Sequence, residues 1–143
     1  MREIEFRALR LQPQIWVYGL YFKSGNGQWT EIQTENGACF YVQEETISQY
    51  TGLKDKNDKK IYEGHIVAFK HDTRTGGGYT RLMHNAAIEY GGNGGEYMTA
   101  GYAFRFKDAK GNEVVHQLDW LKARNIEVIG NIYENPELLG DSQ

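Results

Sequence analysis

The sequence predicts an all-β protein. Three observations carry the prediction. First, 17 glycines and ten tyrosines stand against only two prolines, a mix that suits twisted strands joined by tight turns. Second, short apolar or alternating runs recur along the chain, separated by clusters of Gly, Asn and Asp. Third, the best helical candidate, Asp119 to Asn125, is only about two turns long.

The elements follow in order. Ile4, Phe6 and Ala8 alternate with Glu3, Glu5 and Arg7, which predicts a strand with one apolar and one charged face. Pro13 ends it. Ile15 to Phe22 is apolar throughout and reads as a strand covered on both faces. Ser24-Gly25-Asn26-Gly27 supplies positive-φ turn residues, and alternation resumes at Gln28 to Ile32, which is a hairpin signal. Glu35-Asn36-Gly37 makes a second turn before Cys39 to Val42. Thr46 to Leu53 is strand-like and leads into the polar run Lys54 to Lys60, read as an exposed turn.

Ile61 to Phe69 re-enters the core, with Gly64 resetting the direction. Gly76-Gly77-Gly78 and the glycine-rich stretch 91–95 bracket a strand from Arg81 to Tyr90. Tyr97 to Phe106 is another strand, with Tyr102, Phe104 and Phe106 on one face. Asp108 to Asn112 turns the chain, and Glu113 to Leu118 returns. Asp119 is placed to cap the short helix, with Asn125 near its C-terminal end. Ile126, Val128 and Ile132 form a last strand, stopped by Asn135-Pro136. About eight short strands at this spacing indicate a small, strongly bent sheet or an SH3-like barrel. It would have N-terminal hairpin strands and at most one or two short helices.

A chain of 143 residues fits one domain, with a subdivision into strands 1–48 and a barrel-like part 49–139 as the alternative. The net charge of −3 argues against a surface attractive to nucleic acid over its whole extent, while leaving room for a local basic patch. Cys39 is the sole cysteine, so no intramolecular disulfide forms. No apolar leader opens the chain and no run approaches a membrane span of about 18 residues, so a cytoplasmic protein is expected.

Two stretches are recognisable beyond composition. Gln49 to Asn57, continuing through Ile61-Tyr62-Glu63-Gly64 to Val67, resembles the central signature of the YopX family. Val128 to Leu139 is similar to its C-terminal signature, and the opening Met1 to Ala8 to its start. The chain departs from the family pattern at Asp58, where relatives usually have Gly, and at His65, where they usually have Asp. No catalytic role is therefore carried over to position 65. The resemblance implies a small all-β protein of phages and prophages in bacteria, with no established activity.

Turn geometry accounts for these signatures without a substrate. Tyr50, Gly52, Tyr62, Gly64 and His65 read as the entry to a strand, with Gly64 in a sharp turn and His65 bonding its backbone. Gly130 would permit close backbone approach and Asn131 would close a turn. Tyr133, Asn135 and Pro136 complete the second signature, with Asn135-Pro136 as the stop.

Candidate chemistry is thin. His65, His71, His84 and His116 lack helical metal-ligand spacing and no Cys-x-x-Cys occurs, so no metal or cofactor is expected. Glu63, His65, Glu89 and His116 would have to converge in a barrel to form a site, and a hydrolase would draw on Glu63, His65 or Glu89. Cys39, in an apolar run, reads as a buried small hydrophobe rather than a nucleophile. The glycine clusters lack the Lys-Ser/Thr of a phosphate loop and read as hairpin loops, with closure over a ligand left open.

A basic patch is the strongest functional signal. Lys54, Lys56, Lys59 and Lys60 outweigh Asp55 and Asp58, and Lys70, His71, Arg74 and Arg81 follow, interleaved with Tyr50, Tyr62 and Tyr79. That pattern suits nucleic-acid binding by a positive groove with stacking aromatics. The leading expectation is nonetheless a non-catalytic binding or assembly module that self-associates, since many short strands leave edges to cover.

Overall fold

Turn chemistry sets the hairpins in this computed structural model, which describes residues 3–90 and 101–140. Thr34–Ala38, Asp55–Lys59 and Asp108–Asn112 are five-residue turns of one design. In each, the first N–H donates to the fifth carbonyl and the fourth N–H donates to the first carbonyl. The fourth residue has positive φ: Gly37 at 93°, Asp58 at 65° and Gly111 at 83°. Asp58 thus occupies a left-handed position that its short polar side chain tolerates. Asp55 and Asp108 each add a carboxylate oxygen accepting two turn N–H groups.

The chain divides into two units, Met1–Gly52 and Leu53–Gln143. In the first, β1 (Phe6–Leu9), β2 (Trp16–Ser24), β3 (Trp29–Gln33) and β4 (Cys39–Tyr41) are antiparallel neighbours in the order β4-β3-β2-β1. The start of β5 (Ser48–Lys54) pairs with the other edge of β1. Ala8, Ile32 and Val42 are buried, with Val17 and Ile47 packed against them. Thr46 ties the unit across its length, its Oγ1 accepting the Leu9 N–H at 2.9 Å.

Two expectations fail in this unit. Arg7 was placed on a charged face; it is 5% exposed, with its guanidinium carbon 3.8 Å from the Trp16 ring centre. An aromatic face gives an arginine the apolar stem contact and the cation attraction that make such burial tolerable. The apolar run of β2 is not covered on both faces, and even Tyr21, on the side of Ile32, is 44% exposed. Tyr18, Leu20 and Phe22 are all exposed, because the small core lies on the opposite side of the pleat.

The second unit contains β6 (Lys60–Tyr62), β7 (His65–Thr75), β8 (Gly78–Ala87), β9 (Glu89–Tyr90), β10 (Tyr102–Lys107), β11 (Glu113–Gln117), α1 (Trp120–Ala123), β12 (Glu127–Asn131) and α2 (Glu137–Gly140). Two three-stranded antiparallel sheets form, ordered β12-β7-β8 and β11-β10-β9. Their core centres on Phe69, 4.9 Å from Phe104 and 4.7 Å from Phe106 between ring centres. Each such fully buried ring contributes roughly 1.5–3 kcal/mol of hydrophobic stabilisation. Tyr102, Phe104 and Phe106 are buried as the alternation predicts.

Asp119 caps α1, accepting the Lys122 N–H at 2.8 Å. The helix is a single short turn, and α2 is no longer. The all-β expectation with at most two short helices therefore holds among the described residues. The barrel alternative does not: the sheets end in edge strands and are not closed by pairing among the described residues. The expected strand start at Tyr97 and the glycine-rich stretch 91–95 lie outside the described residues. Among the described residues, no helix is long and apolar enough to cross a membrane.

Candidate functional site

The two sequence signatures meet in space within the second unit. Asp55 is 1% exposed, although its neighbours Lys54, Lys56, Asn57, Asp58 and Lys59 are exposed. The run read as a solvated turn therefore carries a buried carboxylate. Its Oδ1 accepts the Asn57 and Lys59 N–H groups, at 2.8 and 2.9 Å, and its Oδ2 accepts the Val128 N–H at 2.9 Å. The Lys56 N–H donates to the Ile126 carbonyl at 3.0 Å beside it. The central signature is thus bonded to the approach and first residues of β12.

A second junction lies at the other end of β12. Gly64 has φ 86°, and its carbonyl accepts the Ile132 N–H at 2.9 Å. His65 pairs in register with Asn131, and both are buried. The His65 Nδ1 accepts the Tyr62 N–H at 2.9 Å, so in the neutral ring the proton sits on Nε2. The Asn131 Oδ1 accepts the Tyr133 and Glu134 N–H groups, and the Asn135 Oδ1 accepts the Asn131 N–H. A Cβ on Gly130 would sit 2.6 Å from that Asn135 oxygen, which is the close approach expected there. These side chains hold turns together.

Of the candidate nucleic-acid residues, Lys56 and Arg81 line one cleft, whereas Lys54, Lys59, Lys60, Tyr62 and Arg74 do not. Tyr62 is 2% exposed and Tyr50 4%, so both belong to the interior and neither can stack on a base. Tyr79 is 71% exposed. Lys54 and Lys59 are exposed and Lys60 is half-buried. Lys56 lies 3.8 Å from Glu127, and Arg81 binds Asp72 through two hydrogen bonds of 2.6 and 3.0 Å. That bond holds the Asp72 carboxyl below its usual range and raises Arg81 further. Lys70 and Arg74 have no ion-pair partner among the described residues.

Geometry alters the other readings as well. Glu89 lies 3.8 Å from Arg105, whereas His65 faces the Tyr62 backbone and His116 packs on Phe104. Among the described residues no group of three or more His, Cys, Asp or Glu is arranged to hold a metal. Cys39 is exposed, not buried: it shares the outer face of its sheet with Gln33, its register partner.

Sequence reasoning missed a histidine cluster. His71, His84 and His116 surround Phe106, with ring centres 4.9, 4.8 and 5.3 Å from it. His71 is 5.6 Å from His116 and 6.1 Å from His84. Burial pushes the pKa of His84 and His116 down; His71 adds to both shifts, and Lys122 to that of His116. No local spacing announces the cluster, because its members come from three strands. Alternation alone does place His71 on the same face of β7 as Phe69.

The chain also spreads apolar side chains over one open surface. Tyr18, Leu20 and Phe22 of β2 share a face with Trp29 of β3 and Tyr41 of β4 by strand register. All five are at least 40% exposed, and the Trp29 and Tyr41 rings are 5.7 Å apart.

Comparison with known proteins places this geometry. No curated protein matches the chain. The chain is similar to the crystal structure of protein EF1440 from Enterococcus faecalis, with a TM-score of 0.53 and 25% identity over 97% of this chain and 99% of that one. A family model described as YopX protein matches residues 5–140. The signature residues that close the turns around β12 lie within that match, and the chain belongs to the YopX family.

Proposed function

We propose that the protein is a non-catalytic assembly module that associates with copies of itself through the outer face of β2, β3 and β4. The observation that carries this reading is the five-residue apolar face of Tyr18, Leu20, Phe22, Trp29 and Tyr41. Glu31 stands between Phe22 and Tyr41 and Gln33 beside Leu20, so the apolar side chains are interleaved with polar ones, and exposed apolar clusters rimmed by polar residues mark interaction surfaces. Tyr and Trp are the residues that interface centres favour. A two-fold contact between identical sheet faces would cover the patch on both copies at once. The module would serve a phage or prophage, the setting that the family resemblance implies.

Light scattering coupled to size exclusion tests it. The expected result is a dimer or larger species at micromolar concentration, with Leu20→Glu shifting it to monomer while the circular dichroism spectrum stays unchanged. A wild-type chain that is monomeric at that concentration would overturn the reading.

A further inference from the structure

We infer that the outer face of the β7–β8 hairpin binds single-stranded nucleic acid, independently of any self-association through the first unit. Strand register assigns the face. Lys70 pairs with Met83, Asp72 with Arg81 and Arg74 with Tyr79, and cross-strand partners project to the same side. The opposite side, with Phe69, His84 and Thr73, is turned to the core. The outer side therefore carries three cations and one carboxylate, and the carboxylate is already bound to Arg81. Lys70 and Arg74 remain free of ion pairs among the described residues, about 13 Å apart along the strand.

A concave surface continues this ribbon. A cleft of about 460 Å³ is lined by Lys70 and Arg81 and also by Lys56 and Arg124. Four basic side chains from four segments line it beside two carboxylates, Asp72 and Glu127, so cations remain in excess in a protein whose net charge is negative. Lys56 and Arg124 are held by exposed carboxylates, Glu127 and Asp58, in contacts weak enough to exchange for phosphate. Tyr79 and Met83 supply apolar surface on the same face, and Tyr79 presents a ring for an unpaired base. Positive charge alternating with an exposed aromatic is the combination that single strands require; a duplex offers no base face to the ring. The centre of the site is thus the ribbon rather than the Lys54–Lys60 loop, of which Lys56 alone lines the cleft.

Fluorescence anisotropy on the full chain tests this, using fluorescein-labelled oligo-dT and oligo-rU of about 15 nucleotides, a length within the range of single-strand grooves. Binding at low salt is expected. Lys70→Gln and Arg74→Gln should each reduce the slope of log affinity against log salt by about 0.7. Tyr79→Ala should weaken binding about tenfold, as loss of one stacked base does. Lys23→Gln, the same neutralisation in the first unit, should change neither quantity. Absence of binding at low salt overturns the proposal, as does binding that responds equally to Lys23→Gln. Equal competition by polyglutamate, with no effect of Tyr79→Ala, also overturns it by reassigning the ribbon to acidic protein partners.

Discussion

Asp55 and Val128 are joined by a buried hydrogen bond: the Asp55 Oδ2 accepts the Val128 N–H at 2.9 Å, across a sequence separation of 73. The same carboxylate closes its own turn through Oδ1. Removing it with Asp55→Ala strips acceptors from three backbone donors, and the expected loss is about 3 kcal/mol or more. Asp55→Asn keeps the Oδ1 bonds but sets an amide N–H against the Val128 N–H, so its loss falls between wild type and Ala. Urea unfolding of the three proteins checks the order; equal stability of Ala and Asn would refute the separate role of Oδ2.

His65 offers Nδ1 to the Tyr62 N–H, and an Asp oxygen at that position lies the same number of bonds from Cα. His65→Asp should therefore be tolerated better than His65→Ala, which loses both the acceptor and buried volume, at about 2–3 kcal/mol. Thermal unfolding decides between them. If Asp and Ala were equally destabilising, acceptance of this N–H would not be what position 65 supplies.

Gly130 and Asn135 form a second coupled pair. The Cβ of Gly130→Ala would meet the Asn135 Oδ1 at 2.6 Å, and overpacking of this kind costs about 1–3 kcal/mol. Trimming the neighbour should relieve part of the clash. Gly130→Ala with Asn135→Ala is therefore expected to lose less than the two single changes added together, which a double-mutant cycle in denaturant measures.

Asp58 sits at φ 65° with its side chain in an exposed ion pair to Arg124, a contact that adds little. Backbone preference should dominate there. Asp58→Gly is expected to match or exceed wild-type stability, and Asp58→Ala to fall about 1 kcal/mol below Asp58→Gly. A reversed order would show that the Arg124 contact, not φ, governs the position.

Acidity should act through the histidines that surround Phe106. Both His84 and His116 are lowered from 6.5, chiefly by burial, so the unfolded chain binds more protons than the folded one as pH falls. Stability is then fully present above about pH 7 and declines as pH drops through and below 6.5. Asp108 opposes the shift at His84 and Asp119 that at His116, which moderates the decline without reversing it. Asp72 and Glu44 are lowered from 3.8 and 4.5, and so act in a more acidic window. Melting temperatures between pH 7.5 and 5 should show a flatter dependence for His84→Gln with His116→Gln, and an unchanged slope would refute the assignment.

How far the fold was legible depends on whether the signal was local. Turns were readable because Gly37, Gly111 and the cap at Asp119 act within a few residues. The buried alternation of Tyr102, Phe104 and Phe106 was readable for the same reason. Asp55 was not, since a carboxylate among four lysines looks solvated until its partner 73 residues away is known. Ile15 to Phe22 misled in the opposite direction: an all-apolar strand can be buried on both faces or half-covered and left open. The histidine cluster required the pairing of β7 with β8 and of β10 with β11, which no spacing in the chain encodes.

The long hairpin has one more consequence. Pairing between β12 and β7 stops at Ala68, and from Phe69 to Thr75 no strand pairs with that edge among the described residues. An open edge of that length is a template on which a misfolded neighbour can nucleate an aggregate. Lys70, Asp72 and Arg74 stand along it at every second residue, and such charges act as gatekeepers against strand addition. The charges that would draw a polyanion to the hairpin also keep it from recruiting other chains, so their number is under a constraint of solubility whether or not a ligand is bound.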